Sequence, residues 1–527
     1  MEAFVAEPRP KWVLPALVSV IATVGAISLV QLPIPPGRDQ GIFLYHGWGI
    51  IEGLMPYRDM WDHKPPGIHY LYAMAVGLFG HKYVAINVLD IFWRLLTVGA
   101  IYSLAARLYG RREGFMAAIF YGLWVSATGG GFWWTAQAEG FMVLPLVLSM
   151  HYYLRDTMSD HALSGIFMAI AILLKTTAVL MLVFLICFIL FTPRKTWEPR
   201  PKRGKFLGFI YGLLVVFVPL TLYFALSYAA DDFWETVVTF NLYHSGVHKP
   251  LGEFFSRSQY LFLFFMPFWL LVFLKGIFDP EERRLRPVLM FTWLAVSVLM
   301  VLVQRKYFLY HFFMIIGPGV VLGARGFGVA VDYARGRSVI APRVVAVLAI
   351  LLWTGAGAVS LFGKYMHTPR HFRSFEFLSG EIDKWQYFGR FIDPKGDLSL
   401  YEDRAVARYV RDRTVPDEKF LVWGFEPLVN FWAVRFAPTR FNSDYPLTFR
   451  PQRETTRRLR KKWRAIFMED IKKTPPTYIA VVHRDCNALE NEDSATQLKD
   501  FPEFKRFIHE KYFHETTIGD FELYRRK

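Results

Sequence analysis

The sequence predicts a polytopic α-helical membrane protein of about eleven spans, with interfacial helices in its first outer loop and a soluble α/β domain at its C-terminus. Three observations carry that prediction. The 527 residues are 53% hydrophobic and 17% aromatic, with a mean hydropathy of +0.24, which is rare for a soluble chain of this length. The apolar residues come in runs of about 18 to 25, the length that crosses a bilayer core at helical rise. Lys and Arg gather between alternate runs, and the composition changes after about residue 363.

By length and hydropathy the spans fall at 12–33, 83–107, 114–130, 139–154, 162–174, 176–192, 206–229, 258–276, 287–304, 308–325 and 343–363. The basic residues between them are Arg107, Arg111, Arg112, Arg155, Arg194, Lys195, Arg200, Lys202, Arg203 and Lys205. Further on come Arg283, Arg284, Arg286, Arg325, Arg335, Arg337 and Arg343. All share one side if the count is odd, and the positive-inside rule makes that side cytoplasmic. The N-terminus is then inside, and the loops at 34–82, 129–138, 230–257 and 305–307 are outside, with everything beyond about 364. The expected setting is the inner (plasma) membrane. The first apolar run has no small-residue cleavage site and reads as a retained signal anchor.

The net charge of +16 fits basic cytoplasmic loops and argues against a nucleic-acid partner, since the cations lie largely between spans. Cys187 and Cys486 are the two cysteines. One is in an apolar helix and the other in the C-terminal region, so neither a disulfide framework nor a cysteine metal site follows. There is no Walker loop and no dinucleotide fingerprint.

Residues 41–54 and 66–80 of the first outer loop are amphipathic and aromatic-rich and read as two short helices along the membrane surface. The division expected is a membrane domain over 1–363 and an extracytoplasmic α/β domain over 364–527. In the latter, Phe420-Leu421-Val422-Trp423-Gly424, Tyr478-Ile479-Ala480-Val481-Val482 and Phe521-Glu522-Leu523-Tyr524 read as strands, and 402–413 and 453–470 as helices. The basic helix carrying Arg457, Arg458, Arg460, Lys461, Lys462 and Arg464 reads first as a solvated face, with anionic headgroups as a second reading.

The outer loops hold the candidate chemistry. The first contains Arg38-Asp39-Gln40-Gly41, Tyr57-Arg58-Asp59 and Asp62-His63-Lys64-Pro65-Pro66-Gly67. A loop that only joins two spans needs no such cluster, and charges kept at a membrane surface usually serve chemistry or transport. Asp39 follows the stiff Pro33-Ile34-Pro35-Pro36 and can act as a general base on a hydroxyl, or simply cap a helix. Glu139 opens the helix after the second outer loop. The helix dipole favours an acid there, and a second carboxylate facing Asp39 could orient an acceptor or hold a divalent cation. Lys64 can neutralise a phosphate, His63 can donate a hydrogen bond or bind a metal beside Asp62, and the prolines can start a helix. Arg305-Lys306-Tyr307, with His311 a turn later, place two cations at the outer interface and point to an anionic ligand, or to snorkelling. Lys175, between two short spans, is of the same kind. Asp90 and Arg94 are four apart in a membrane helix and should pair. His244, His248, Asp231 and Asp232 line a loop that is either solvated or an acceptor entrance.

Taken together, Asp39 just after the first span, the His-Lys-Pro-Pro-Gly run at 63–67, Glu139 at the start of the fourth span and Lys306-Tyr307 with Pro318 downstream resemble the GT-C glycosyltransferases. The nearest branch is the protein O-mannosyltransferase and lipid A aminoarabinose transferase group, glycosyltransferase families 39 and 83. The resemblance covers the membrane half. It implies a polyprenyl-phosphate-linked sugar as donor, an acceptor lipid, glycan or protein, membrane lipids around the site and transfer on the outer side. Asp39 would be the base, assisted by Glu139, with Lys64, Arg305 and Lys306 on the donor phosphate. Many members carry Asp-Glu in the first loop, whereas Gln40 follows Asp39 here. No cofactor is required by this reading, and Asp39, Glu139 and His63 leave a divalent metal open. The sequence also admits a lipid-linked glycan transporter, though it lacks the half-repeats and broken helices such proteins use, and a non-catalytic cell-envelope scaffold.

Overall fold

The protein is described from a computed structural model covering residues 10–127, 134–191, 202–244, 248–278, 285–335, 344, 370–389, 391, 399–486, 490 and 492–527. The eleventh expected span at 343–363 falls outside these, apart from Val344. So do 129–133 of the second outer loop and Arg194, Lys195, Arg200, Arg283, Arg284, Arg337 and Arg343. The chain forms two compact units. One comprises 1–33, 87–216 and 250–371, and the other 34–86, 217–249 and 372–527.

The regular structure among the described residues of the first unit is all helical. Its helices are Val13–Ser28, most of Val84–Tyr109, Arg111–Ala127, Ala138–Tyr153, Met158–Leu174, Val179–Phe191, the first part of Lys202–Leu226, Leu251–Phe278, Leu285–Gln304 and Phe313–Arg335. A helix thus occupies each expected span position up to residue 325. Five stretches are long and apolar enough to cross a membrane: Val13–Gln31, Val84–Tyr109, Arg203–Leu226, Pro287–Gln304 and Leu309–Tyr333. A bent pair over 251–276 makes a sixth if taken as one span. The expected spans at 162–174 and 176–192 are shorter apolar helices, Met158–Leu174 and Thr176–Phe191. The extended backbone of Lys175 separates them.

Close helix packing in this unit rests on small residues. A Cβ on Gly165 would sit 2.1 Å from the Phe209 carbonyl oxygen, and one on Gly212 would sit 1.9 Å from that of Ala162. Only glycine lets these two backbones meet. Asp90 and Arg94 pair at 2.7 Å as expected. Arg94 also donates to Gln31 Oε1 and the carbonyls of Val125 and Trp134, while Asp90 accepts from Ala136 N. A charge pair in an apolar helix is thereby spread over four segments, which is how a buried ion pair becomes tolerable.

The second unit is built on a four-stranded sheet in the order β1-β2-β4-β3. Strands β1 (Phe420–Trp423) and β2 (Tyr478–Val482) are parallel, and β2, β4 (Phe521–Arg526) and β3 (Tyr512–Ile518) run antiparallel in turn. The helix Glu454–Lys473 supplies the crossover that a parallel pair requires. Strand side chains alternate faces. Leu421, Trp423, Ile479 and Val481 pack on one face with Trp463, Phe467, Phe504 and Ile508. Phe420, Val422, Tyr478 and Ala480 pack on the other with Val406, Val410 and Val429. The three expected strands and both expected helices are present. The fourth, β3, has no alternation of burial to betray it, since the polar His514 and Thr517 are exposed and the polar Glu515 and Thr516 between them are partly buried.

Two segments expected to be outer loops belong to this unit. Trp61 and Phe240 join the core beneath the sheet, and Trp61 N donates to the Arg440 carbonyl at 2.8 Å. The helices Arg38–Ile51 and Pro66–Phe79 occupy the two stretches expected to be helical. The first is buried from Gln40 to Gly49, so its apolar content is satisfied by packing against protein within the unit.

Candidate functional site

In the second unit, the Pro33-Ile34-Pro35-Pro36 segment leads to Gly37, and the helix begins at Arg38. Asp39 is therefore the second residue of the first turn rather than its cap, a correction to the capping alternative. Gln40 Oε1 takes the capping part, accepting from Gly37 N at 3.1 Å. The Asp39 carboxylate still lies at the positive end of the helix dipole, where an anion is favoured.

Lys64 reaches this carboxylate, with Nζ 3.1 Å from Asp39 Oδ1 and the two side chains only 10% and 22% exposed. The ammonium also lies 4.5 Å from the centroid of the Phe43 ring. Two neighbours fix the Lys64 backbone. Tyr57 donates its hydroxyl to the Lys64 carbonyl at 2.9 Å, and Lys64 N points at Asp62 Oδ1 at 3.4 Å. Tyr57 holds a left-handed backbone, φ 71°, a conformation that costs a non-glycine residue energy and is kept only where surroundings impose it. Pro65 and Pro66 sit at the cap and first position of the next helix, where a missing N–H costs nothing.

Asp62 is buried. His63 Nδ1 is 3.3 Å from Oδ1 and His69 Nε2 is 3.4 Å from Oδ2. Burial pushes its carboxyl up, but Lys64 and the His63 hydrogen bond outweigh that and hold it well below the usual range. His46 stacks on His69 with ring centroids 4.4 Å apart. Burial lowers both imidazoles, His46 to about 4, so both are neutral at pH 7. His46 and His69 were not singled out from sequence, and Tyr57 was noted only within the Tyr57-Arg58-Asp59 run. Only the periodicity of His46 and His69 on buried helix faces could have hinted at them.

In the first unit, three expected residues come together. Glu139 is the second residue of the helix Ala138–Tyr153 and is 1% exposed. Lys175 Nζ lies 2.6 Å from its Oε1, and His311 Nε2 lies 3.6 Å from the same oxygen. Lys175 reaches it because the apolar run breaks there. His311 does so from the 3-10 turn Leu309–Phe312. Just before that turn, Arg305 and Tyr307 both have φ of 51°. Arg305 is exposed and Lys306 half-buried, while Tyr307 is buried with its ring edge-on to Phe254.

The other candidates have structural partners. His244 Nε2 is 2.8 Å from the Tyr445 hydroxyl, and its ring stacks on Phe240. Asp232 pairs with Arg440 at 2.6 Å, and Asp231 and His248 are exposed. On the basic helix, Arg457 and Arg458 pair with Glu454, and Lys462 pairs with Glu235. Among the described residues no group of three or more His, Cys, Asp or Glu is placed to hold a metal ion, and Cys187 and Cys486 form no disulfide.

Residues 63–234 match the family model of the dolichyl-phosphate-mannose-protein mannosyltransferases. No curated protein sequence matches the chain. The fold is similar to that of ArnT from Cupriavidus metallidurans in its crystal structure bound to undecaprenyl phosphate, with a TM-score of 0.60, 13% identity and coverage of 98% of each chain. The apo form of that protein matches with a TM-score of 0.58 and 14% identity, over 96% of this chain and 97% of that one. AglB, an oligosaccharyltransferase from Archaeoglobus fulgidus in complex with an inhibitory peptide and a dolichol-phosphate, matches with a TM-score of 0.51 and 12% identity, over 97% of this chain and 74% of that one. The resemblance read from Asp39, the 63–67 run and Glu139 thus meets an independent match at the level of fold: this chain has the architecture seen in ArnT and AglB.

Proposed function

We propose that the protein moves a sugar from a polyprenyl-phosphate donor to an acceptor on the outer side of the cell's inner membrane, by a single inverting displacement with Asp39 as base. The observation that carries this is the Asp39–Lys64 pair at 3.1 Å, a carboxylate and an ammonium held together in the first outer loop. The lipid phosphates bound by ArnT and AglB support the donor class.

Each of the two charges is a counterion to the other. The donor phosphate, a diester with one negative charge, competes for Lys64, and the competition tips toward it as the anomeric C–O bond breaks and a second negative charge develops on the leaving phosphate. Drawn to the phosphate, Lys64 leaves Asp39 free to accept a proton. The acceptor hydroxyl or amine gives its proton to Asp39 as its lone pair attacks the anomeric carbon. The bond from that carbon to the phosphate oxygen breaks, and polyprenyl phosphate leaves with the electron pair. Its charge is held by Lys64, with Arg305 and Lys306 assigned the same part. Glu139, held by Lys175 and His311, is assigned assistance to the acceptor. No step uses a metal.

The test is the purified protein supplied with undecaprenyl phosphate carrying mannose, glucose or 4-amino-4-deoxyarabinose and a mixed pool of envelope lipid, glycan and peptide acceptors. Release of undecaprenyl phosphate supports transfer. Movement of intact donor across vesicles without cleavage identifies a transporter, and neither outcome identifies a scaffold.

A further inference from the structure

The residue before the assigned base is anchored in the sheet domain. Arg38 starts its helix, where the dipole disfavours a cation, so something must compensate it. Glu426 does, with Oε1 2.6 Å from Arg38 Nη2 and 2.8 Å from Nε. Arg38 Nη1 also donates to the Cys486 carbonyl at 3.3 Å. Glu426 lies in the turn after β1 and Cys486 lies beyond β2. The guanidinium is therefore gripped beyond the carboxyl ends of the two parallel strands. Both side chains are nearly buried, at 12% and 4% exposed.

The rest of the helix is registered on the same domain. A Cβ on Gly41 would come within 3.0 Å of Leu428 Cβ and 3.2 Å of Leu428 N. Ala437 N donates to the Tyr45 hydroxyl at 3.1 Å, and Trp48 stacks on Phe436 with centroids 3.7 Å apart. The Tyr45 hydrogen bond and the apolar contacts set the height and lean of the helix beyond its first turn. At the first turn itself, a rotation of the backbone would swing Asp39 away from Lys64. A planar guanidinium gripped by one carboxylate oxygen and one carbonyl resists that rotation.

We infer that the Arg38–Glu426 pair is a positioning clamp through which the C-terminal sheet domain sets the orientation of Asp39. The clamp rests on the reading of Asp39 as the base. Arg38 and Glu426 are positioning residues, and neither is assigned contact with substrate. The sheet domain is on this account a working part of the transfer machinery.

The test compares full-length wild type with Glu426→Gln, Arg38→Lys, their double variant and Asp39→Asn, on the three undecaprenyl-phosphate donors named above. A clamp predicts that each single variant lowers kcat by about tenfold to a hundredfold, the cost of a misplacement of about 1 Å, with donor KM within about threefold of wild type. The double variant should lose no more than the worse single one, since the second change breaks a contact already broken. Amide hydrogen exchange at residues 38–41 should quicken in both single variants. Arg38→Lys keeps the charge and loses the fork, so it reports on orientation even if Glu426→Gln folds poorly. Wild-type kcat in the Glu426 and Arg38 variants beside an inactive Asp39→Asn overturns the clamp alone, as does a change confined to KM. Retained turnover in Asp39→Asn overturns the base reading and the clamp with it.

Discussion

Lys64 Nζ sits 3.1 Å from Asp39 Oδ1, bringing together two residues 25 positions apart that the sequence had offered separately, one as base and one as phosphate grip. Their pairing makes a prediction about order. Asp39→Asn should abolish transfer while leaving binding of undecaprenyl phosphate intact or tighter, because Lys64 loses its competing carboxylate. Lys64→Met should weaken that binding at least tenfold, the removal of one charge-assisted contact. Equilibrium binding of labelled undecaprenyl phosphate to the two variants checks this. Weaker binding in Asp39→Asn than in Lys64→Met would sink the exchange of partners.

Glu139 and Lys175 form the tightest pair of candidates, 2.6 Å apart with Glu139 almost wholly buried. Removing one partner strands a charge away from water, which typically costs about 3–5 kcal/mol, whereas removing both can be nearly neutral. Lys175→Met should therefore lower thermal stability in detergent sharply, and Lys175→Met with Glu139→Gln should recover most of the loss. If the double variant is as unstable as the single, the pair is not what holds that helix break.

Lys306 stands between two residues in left-handed backbone, Arg305 and Tyr307. Such strain is kept where it aims a side chain. Lys306→Ala should raise the donor KM about tenfold and leave the acceptor KM unchanged, measured by initial rates with each substrate varied in turn. Equal effects on both would remove its assigned phosphate role.

These sites differ in how far the sequence disclosed them. Asp39, Lys64, Glu139 and Lys175 were visible because ionisable residues at the ends of apolar runs violate the expected pattern, and a violation needs a reason. Which of them meet was not visible, since Lys64 finds Asp39, and Lys175 finds Glu139, across sequence gaps that only tertiary packing closes. The strands Phe420–Trp423 and Tyr478–Val482 were legible as unbroken apolar runs buried on both faces. The edge strand Tyr512–Ile518 was not, because its exposed polar residues read as loop. Glu426 could not have been found at all. It is one acid in a charged region, and its importance comes from an arginine almost four hundred residues earlier.

Glu426 also makes a pH prediction whose sign is fixed. Burial, opposed by Arg38 and reinforced by Asp485, raises its carboxyl from 4.5 to about 7. A group whose folded value is raised gives its full stabilisation below the unfolded value and loses it as pH rises through the folded one. The thermal midpoint should therefore fall between pH 4.5 and about 7, and Glu426→Gln should flatten that part of the curve. Asp403, raised well above 3.8 chiefly by burial and then by Glu426, acts in the same direction, so some slope should remain in the Gln variant. Asp62 acts oppositely. Its lowered value means that its contribution is present above 3.8 and fades as pH falls. Scanning wild type, Glu426→Gln and Asp62→Asn from pH 3 to 9 by thermal unfolding separates the three. A Glu426→Gln curve parallel to wild type between pH 4.5 and 7 would show that this carboxyl does not titrate there, and that Arg38 faces a full negative charge throughout.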